Sequence, residues 1–303
     1  MHPALSLIVF TSLSGLGFGL ATILGLGLIT APTVMWQAVF HGTALVLIGV
    51  GLASSTLHLG HPERAWRALS QWRSSWLSRE GVIAGLTFGL LILYAVDAYI
   101  QGTPRFALGA VIAVLSLITI WCTAMIYASL KTVARWHHPL TPFVFVGYAM
   151  AGGLVLAAGL DTLAHSQGSV MTQPALIALV SSTAIAILWS RQAGANGSGS
   201  TPESATGLGA LGEVRMLMPP HTEENWLQRE MGFVVARKHA NTLRRISLMM
   251  ALVLPVLALA FAADQGAVLL LAILLHTGGV MVSRWLFFAE AKHTVMLYYG
   301  QRH

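Results

Sequence analysis

Long apolar runs alternate with short polar segments along most of the chain. Eight of these runs are long enough, or nearly so, to cross a ~30 Å hydrocarbon core as helices. They cover approximately residues 5–29, 35–59, 82–100, 106–130, 143–163, 172–190, 246–263 and 267–288. The runs are continuously apolar rather than alternating, which favours helices over strands. The pattern therefore predicts an all-α fold, a polytopic membrane helix bundle of about eight transmembrane helices.

The spacing of the runs divides the chain into three regions. Residues 1–190 hold the first six transmembrane helices, residues 191–245 form a polar loop, and residues 246–303 contain a transmembrane hairpin and a C-terminal tail. A very short turn, Asp264-Gln265-Gly266, joins the last two spans and predicts that they pack antiparallel.

The loop at 191–245 has two parts. Residues 194–212 are rich in Gly, Ser, Thr and Ala, which is typical of a flexible linker. Residues 222–245 mix acidic, basic and apolar side chains, so we expect an amphipathic helix that runs into the seventh span. Such a helix presents a surface to a partner protein or lies on lipid headgroups, and the sequence leaves both alternatives open.

The composition agrees with a protein surrounded mostly by lipid. Of 303 residues, 55% are hydrophobic and 9% are charged, whereas soluble domains carry roughly 25% charged residues. The single cysteine, Cys122, cannot by itself supply the four thiolates of an iron–sulfur cluster. We read the first run as a transmembrane helix, since it is too long for the apolar part of a signal peptide.

The positive charge lies on one side of the predicted bundle. Of the 17 Lys and Arg residues, all but Arg105 fall in the loops after the second, fourth and sixth spans or near the C-terminal end. The positive-inside rule then places both termini and these basic loops in the cytoplasm, with the spans in a bacterial inner membrane. Because these arginines set the orientation, the net charge of +6 does not predict a nucleic-acid partner.

The segment 61–80, between the second and third spans, is rich in Trp and Arg. Its large apolar side chains fall on one helical stripe: Trp66, Leu69, Trp72 and Trp76. Arg64 and Arg67 point the other way. This arrangement is typical of an interfacial helix that tryptophan and arginine side chains anchor at the membrane surface.

A candidate redox site lies next to this segment. His58 follows an unbroken apolar run, so its imidazole is expected at the edge of the hydrocarbon, at the depth of a quinone headgroup. Histidine can donate a hydrogen bond to a quinone carbonyl and exchange protons near neutral pH. Glu80 opens the third helix on the same side and could pass protons to the cytoplasm. The alternative is that both are interfacial polar residues that merely satisfy the backbone.

Two other functions compete with a quinone site. A b-type haem needs two axial histidines that face each other across helices, and His41 and His276 are the most deeply placed candidates. A transporter is the second alternative, but no charged residue lies well inside the predicted spans, which argues against an ion relay. Gly15 and Gly19 form a GxxxG pair within the first span and predict a helix-packing face rather than a nucleotide site.

Several motifs together resemble a known family. Residues 55–60 (Ser-Thr-Leu-His-Leu-Gly), followed by Pro62, Arg64-Ala65 and residues 77–80 (Leu-Ser-Arg-Glu), resemble the signature of the DmsC-type membrane anchors. These anchors are the integral subunits of dimethyl sulfoxide reductase and related molybdenum enzymes. Further matches are Tyr127, Trp136, Thr141-Pro142, residues 284–288 and His293. The resemblance extends over essentially the whole chain.

The resemblance implies a function, partners and a site. It implies an anchor that exchanges electrons with a membrane quinone, ubiquinone or menaquinone, and that carries no haem or iron–sulfur cluster itself. The implied partners are a four-cluster ferredoxin-like iron–sulfur subunit and a molybdopterin catalytic subunit, both on the cytoplasmic side. It makes His58 and Glu80 quinone-site residues. We add His61, Arg64 and Arg284 as candidate cofactor-binding residues, the arginines stabilising charge that develops on the headgroup. The chain itself is not expected to supply catalytic residues or metal ligands.

Within the family, the chain is most similar to the SoeC-type anchors of cytoplasmic sulfite-oxidising enzymes. The supporting segments are residues 60–64, 229–233, 236–240 and 288–293. This similarity implies that electrons pass from sulfite oxidation to quinone. Two alternatives remain, namely an anchor of a reductase that runs from quinol to substrate, and a structural anchor or transporter without a redox site.

Overall fold

The fold is a bundle of long helices. The computed structural model describes residues 3–57, 59–102, 105–193, 199–218, 222–223, 225–231 and 235–300, without the side chains of residues 227, 229–230 and 235–238. Within these residues the regular structure is helical, and eight helices are long and apolar enough to cross a membrane. The predicted fold class is therefore confirmed.

The helices follow one another in a simple order. Six spans come first: α1 (Leu5–Gly25), α2 (Val34–Thr56), α3 (Trp76–Gln101), α4 (Phe106–Ala128), α5 (Thr141–His165) and α6 (Thr172–Gln192). The loop contains the short helices α7 (Pro202–Thr206) and α8 (Trp226–Met231). The seventh span joins α9 (Val235–Leu248), a π-helical turn (Met249–Val253) and α10 (Leu254–Phe261). The eighth is α11 (Gly266–Ala289).

Helices α1 and α5 form the centre of the bundle. In each of these two helices, 78% of the apolar membrane-spanning stretch is buried inside the protein, compared with 22–44% in the other six spans. Their backbones touch, because a Cβ atom at Gly19 would collide with the Ala149 carbonyl and one at Gly153 would collide with the backbone of Gly19. The predicted GxxxG face is thus a packing face, and small residues permit this close approach.

Hydrogen bonds between helix ends define two ends of the bundle. At one end, Trp136 Nε1 donates to the Phe287 carbonyl at 2.8 Å, and Trp189 Nε1 donates to Thr141 Oγ1 at 3.0 Å. We call this the arginine-rich end, where α1, α3 and α5 begin and α2, α4, α6 and α11 end. At the opposite end, the Tyr94 hydroxyl donates to the Leu24 carbonyl at 3.2 Å.

Two spans begin earlier than the hydropathy pattern predicts. Helix α3 starts at Trp76 rather than at residue 82, because the Ser75 side chain caps it by accepting a hydrogen bond from the Ser78 amide. Glu80 therefore lies inside the helix, which corrects the expectation that the spans contain no charged residue. The seventh span likewise extends upstream, from His239 to Phe261.

The predicted amphipathic helix at 222–245 is divided in the structure. Helices α8 and α9 lie on either side of residues 232–234, which are outside the described residues. Helix α9 continues directly into the seventh span and packs on α11, where Ser247 Oγ donates to the Gly279 carbonyl at 2.7 Å. In the predicted linker, the described part contains α7 and a 3-10 turn (Gly209–Leu211).

The tryptophan-rich segment, predicted as an interfacial helix, forms a 3-10 helix at Pro62–Gln71. None of its residues is buried in the described structure. It lies against the start of α3, since the Ser78 hydroxyl donates to the Ala68 carbonyl and a Cβ at Gly81 would be 2.7 Å from Leu69 Cδ2. The segment therefore covers the first turns of α3, where Glu80 lies.

Candidate functional site

Glu80 is the only fully buried carboxylate among the described residues, with 4% of its surface exposed. It lies one turn after the start of α3, at the arginine-rich end. The Thr123 hydroxyl on α4 donates a hydrogen bond to Glu80 Oε1. A carboxyl group in this position is shielded from water yet can release and accept a proton, which is the property that proton-coupled chemistry in a membrane needs.

Thr123 is a site residue that the sequence does not reveal. Its hydroxyl lies within hydrogen-bonding distance both of Glu80 and of the Thr119 carbonyl of its own helix, at 3.1 Å for the latter. A threonine in an apolar span usually bonds only to its own helix, so the residue type carries no signal. Only the packing of α3 against α4 identifies it as the partner of Glu80.

Arg284 is also buried, with 3% of its surface exposed on α11. Its guanidinium carbon lies 3.3 Å from the centroid of the Phe145 ring, so the cation rests on the aromatic face. Among the side chains that the structure describes, Arg284 forms no ion pair with a carboxylate. A buried, unneutralised cation is unusual in a membrane span and indicates a functional position.

The residues that carry the family resemblance meet near Arg284. Tyr127 stacks on Phe145 with ring centroids 5.7 Å apart, and Trp136 stacks on Phe287 with centroids 5.5 Å apart. The Thr141 hydroxyl donates to the Trp136 carbonyl at 2.8 Å. Motifs from three parts of the sequence therefore build one aromatic cluster that holds α4, α5 and α11 together.

The other predicted site residues lie elsewhere. His58 is outside the described residues. His61 and Arg64 are exposed on the 3-10 segment and both face Glu63, with His61 Nδ1 at 3.0 Å and Arg64 Nε at 3.7 Å from Glu63 Oε1. The structure thus places Glu80 and Arg284 inside the bundle and His61 and Arg64 on its surface.

The two histidines considered as haem ligands lie in different surroundings. The His41 ring on α2 is next to Tyr94, and its Nδ1 bonds to the Gln37 carbonyl at 2.8 Å. His276 on α11 bonds through Nδ1 to the Ala251 carbonyl at 2.7 Å. The His276 ring lies beside Tyr148 on α5, so the two histidines pack against different helices.

A second charged cluster lies at the end of α11. Glu290 pairs with two arginines. Arg135 Nη2 lies 2.8 Å from one carboxylate oxygen, and Arg244 Nη2 lies 3.0 Å from the other. Burial lowers the pKa of the Arg135 guanidinium from its ordinary value, and the Glu290 carboxylate opposes that shift. This cluster ties α9 and the α4–α5 connection to the end of α11.

Comparison with known proteins agrees with this architecture. A family described as DMSO reductase anchor subunit (DmsC) matches residues 1–290. A sulfite dehydrogenase subunit of Allochromatium vinosum is 31% identical over 322 aligned positions, which span 99% of each of the two proteins. A subunit of the anaerobic dimethyl sulfoxide reductase of Escherichia coli K12 is 33% identical over 149 positions, 47% of this protein and 52% of that one.

Proposed function

The chain belongs to the DmsC family of DMSO reductase anchor subunits, and we propose that it is the quinone-reactive membrane anchor of a molybdenum/iron–sulfur oxidoreductase. The similarity over 99% of its length to a sulfite dehydrogenase subunit supports the direction of electron flow. In this proposal, electrons from sulfite oxidation pass through an iron–sulfur subunit to quinone in the bilayer.

The observation that carries the proposal is the burial of Glu80 beside Thr123. Reduction of one quinone to quinol takes up two electrons and two protons, so the protein must deliver protons where the headgroup binds. Glu80 lies near the end of a span, in the turns of α3 that the 3-10 segment covers. A buried carboxyl group at that depth supplies what the reaction requires.

The remaining predicted residues take distinct roles in the proposal. His58 donates a hydrogen bond to a headgroup carbonyl and Glu80 exchanges the proton. Arg284 stabilises negative charge that develops on the headgroup from inside the bundle. Arg64 and His61, which are exposed, lie at the entrance on the side of the 3-10 segment.

We propose the cytoplasm as the side that the arginine-rich end faces, in a bacterial inner membrane, following the positive-inside rule. The four-cluster iron–sulfur subunit and the molybdopterin subunit then dock on this end, close to the site of Glu80. Protons for quinone reduction come from the same side as the electrons, so the reaction is electroneutral across the membrane.

A second candidate function is an anchor that works in the opposite direction. About half of the chain matches the anaerobic dimethyl sulfoxide reductase protein of Escherichia coli, whose name describes a reductase. In that case quinol releases two protons to the same residues and two electrons to the iron–sulfur subunit. The catalytic partner, rather than this chain, determines the direction.

The substitution His58→Ala tests the proposal in the intact complex. We expect sulfite oxidation with a soluble dye as acceptor to persist, whereas quinone-coupled turnover falls about 100-fold or more, the contribution of a positioned proton donor. His165→Ala is the matched control, because His165 lies at the opposite end beside Asp161. Unchanged quinone-coupled turnover in His58→Ala would contradict the proposed site.

A further inference from the structure

A cavity lined in part by polar side chains lies within the bundle, between α1, α4, α5 and α11. The space that the centre of a water molecule can occupy is about 20 Å³, and one water needs roughly 10–15 Å³ by this measure. The cavity therefore has room for one or two water molecules. Its polar lining consists of Thr11, Ser12, Ser14, Thr123, Tyr148, His276, Thr277 and Arg284.

Three buried atoms in this lining have no hydrogen-bond partner among the described residues: Ser12 Oγ, His276 Nε2 and Arg284 Nε. The three residues are 5%, 2% and 3% exposed. Atoms buried this deeply have almost no direct contact with bulk solvent, and leaving them unpaired costs free energy. Buried polar groups are normally satisfied by protein or by ordered water, and these three converge on one cavity.

The hydrogen bond that His276 makes through Nδ1 determines whether Nε2 is a donor or an acceptor. Nδ1 bonds to the Ala251 carbonyl, and a carbonyl can only accept, so Nδ1 carries the proton. In the neutral ring, Nε2 is then an acceptor. Ala251 lies in the π-helical turn of the seventh span, a deviation that often occurs at functional positions. Arg284 Nε–H is a donor, so the cavity presents both a donor and an acceptor.

We propose that this cavity is a built water-binding site that exchanges protons with Glu80 through Thr123. Water accepts from Arg284 Nε–H, donates to His276 Nε2 and contacts Ser12. Thr123 lines the cavity and its hydroxyl donates to Glu80, so this residue lies between the two. The proposal rests on the proposed function, because the protons serve quinone chemistry.

The proton transfer balances at each oxygen. When Glu80 gives its proton to the headgroup, Thr123 passes its hydroxyl proton to the carboxylate and receives one from the cavity water. The cavity water, left as hydroxide, takes a proton from solvent and becomes neutral again, and the threonine hydroxyl is restored. A quinone headgroup, a six-membered ring with two carbonyls, is far larger than one or two waters, so this cavity is distinct from the place where the headgroup binds.

A density map of the intact complex, at a resolution that shows ordered water, tests the binding site without reference to activity. We expect water density within about 2.7–3.2 Å of His276 Nε2 and Arg284 Nε. An empty cavity would overturn the proposal. So would a map in which both atoms bond to protein groups instead.

Two threonines on α4 provide a matched test of the connection to Glu80. Thr123→Val removes the hydroxyl at nearly constant volume. Thr119→Val does the same one turn away, where the hydroxyl donates to the Leu115 carbonyl of its own helix at 2.8 Å. We expect Thr123→Val to lower quinone-coupled turnover about tenfold, within the range for proton-transfer groups. Thr123→Ser should retain turnover, and Thr119→Val should leave it unchanged.

The outcomes separate this proposal from the quinone site itself. Normal turnover in Thr123→Val, together with a loss of turnover in Glu80→Gln, would refute the water connection and leave the quinone site in place. Normal turnover in both variants would refute the proposed function. A larger solvent deuterium effect on Thr123→Val turnover than on wild-type turnover would support the connection.

Discussion

Two groups of arginine on or beside α11, one partly buried and one buried, differ in how their charge is balanced. Arg135 and Arg244 share the carboxylate of Glu290, with N–O distances of 2.8 and 3.0 Å. Arg284, less than two turns earlier on the helix, rests on the Phe145 ring and forms no ion pair among the described side chains. Its buried Nε has no hydrogen-bond partner among the described residues, and both Arg284 and His276 line the cavity between α1, α4, α5 and α11.

The difference teaches how to separate structural from functional charge in a membrane bundle. In the Glu290 cluster each charge has a partner, and the cluster joins elements that are distant in sequence, so packing accounts for it. At Arg284 the protein retains a buried cation with no carboxylate partner among the described side chains, whereas an unpaired buried Nε occurs in both Arg284 and Arg135. Such groups are costly in a bilayer, and they are typical of sites for substrates, protons or ions.

The largest expected effect on stability is in the Glu290 cluster. Glu290→Ala leaves two arginines without their carboxylate, and we expect the free energy of unfolding to fall by about 3 kcal/mol, as for other broken buried ion pairs. Thermal unfolding in detergent measures this. Arg215→Ala, which removes an exposed pair with Glu213, should change stability by less than about 1 kcal/mol. Equal effects of the two substitutions would contradict the structural role.

The same substitution, Arg to Met, at Arg135 and at Arg284 compares the two groups of arginine directly. Arg135→Met removes one charged hydrogen bond to Glu290 and should destabilise the protein by about 2 kcal/mol. Arg284→Met replaces an unneutralised cation with an apolar side chain of similar length, so stability should change by less than about 1 kcal/mol. Quinone-coupled turnover should fall in Arg284→Met alone. The reverse pattern, with stability lost only at Arg284, would remove the distinction between the two groups.

The sequence predicts the bundle well, because lipid requires continuous apolar runs that are easy to recognise. It misplaces the start of α3, since the first turns contain Ser78, Arg79 and Glu80 and do not count as apolar. Arg79 is compatible with this position because its side chain bonds to the Trp72 and Arg73 carbonyls. Local hydropathy carries no information about such contacts.

The candidate site is only partly predictable. Glu80 and Arg284 follow from the motif resemblance, but nothing in the sequence shows that both are buried while His61 and Arg64 are exposed. Thr123 is indistinguishable from other threonines in apolar spans. The role of His276 depends on a carbonyl in a π-helical turn of another span, which only the packed structure reveals.

Quinone-coupled turnover of Glu80→Gln, in the intact complex, tests the central claim most directly. The amide keeps the size of the side chain and can still accept the Thr123 hydrogen bond, but it cannot exchange a proton. We predict a loss of about 100-fold or more, with dye-coupled activity unchanged and with Glu213→Gln, on the exposed loop, behaving as the wild type. Quinone-coupled turnover equal to that of the wild type would contradict the role of Glu80 and with it the account of the site.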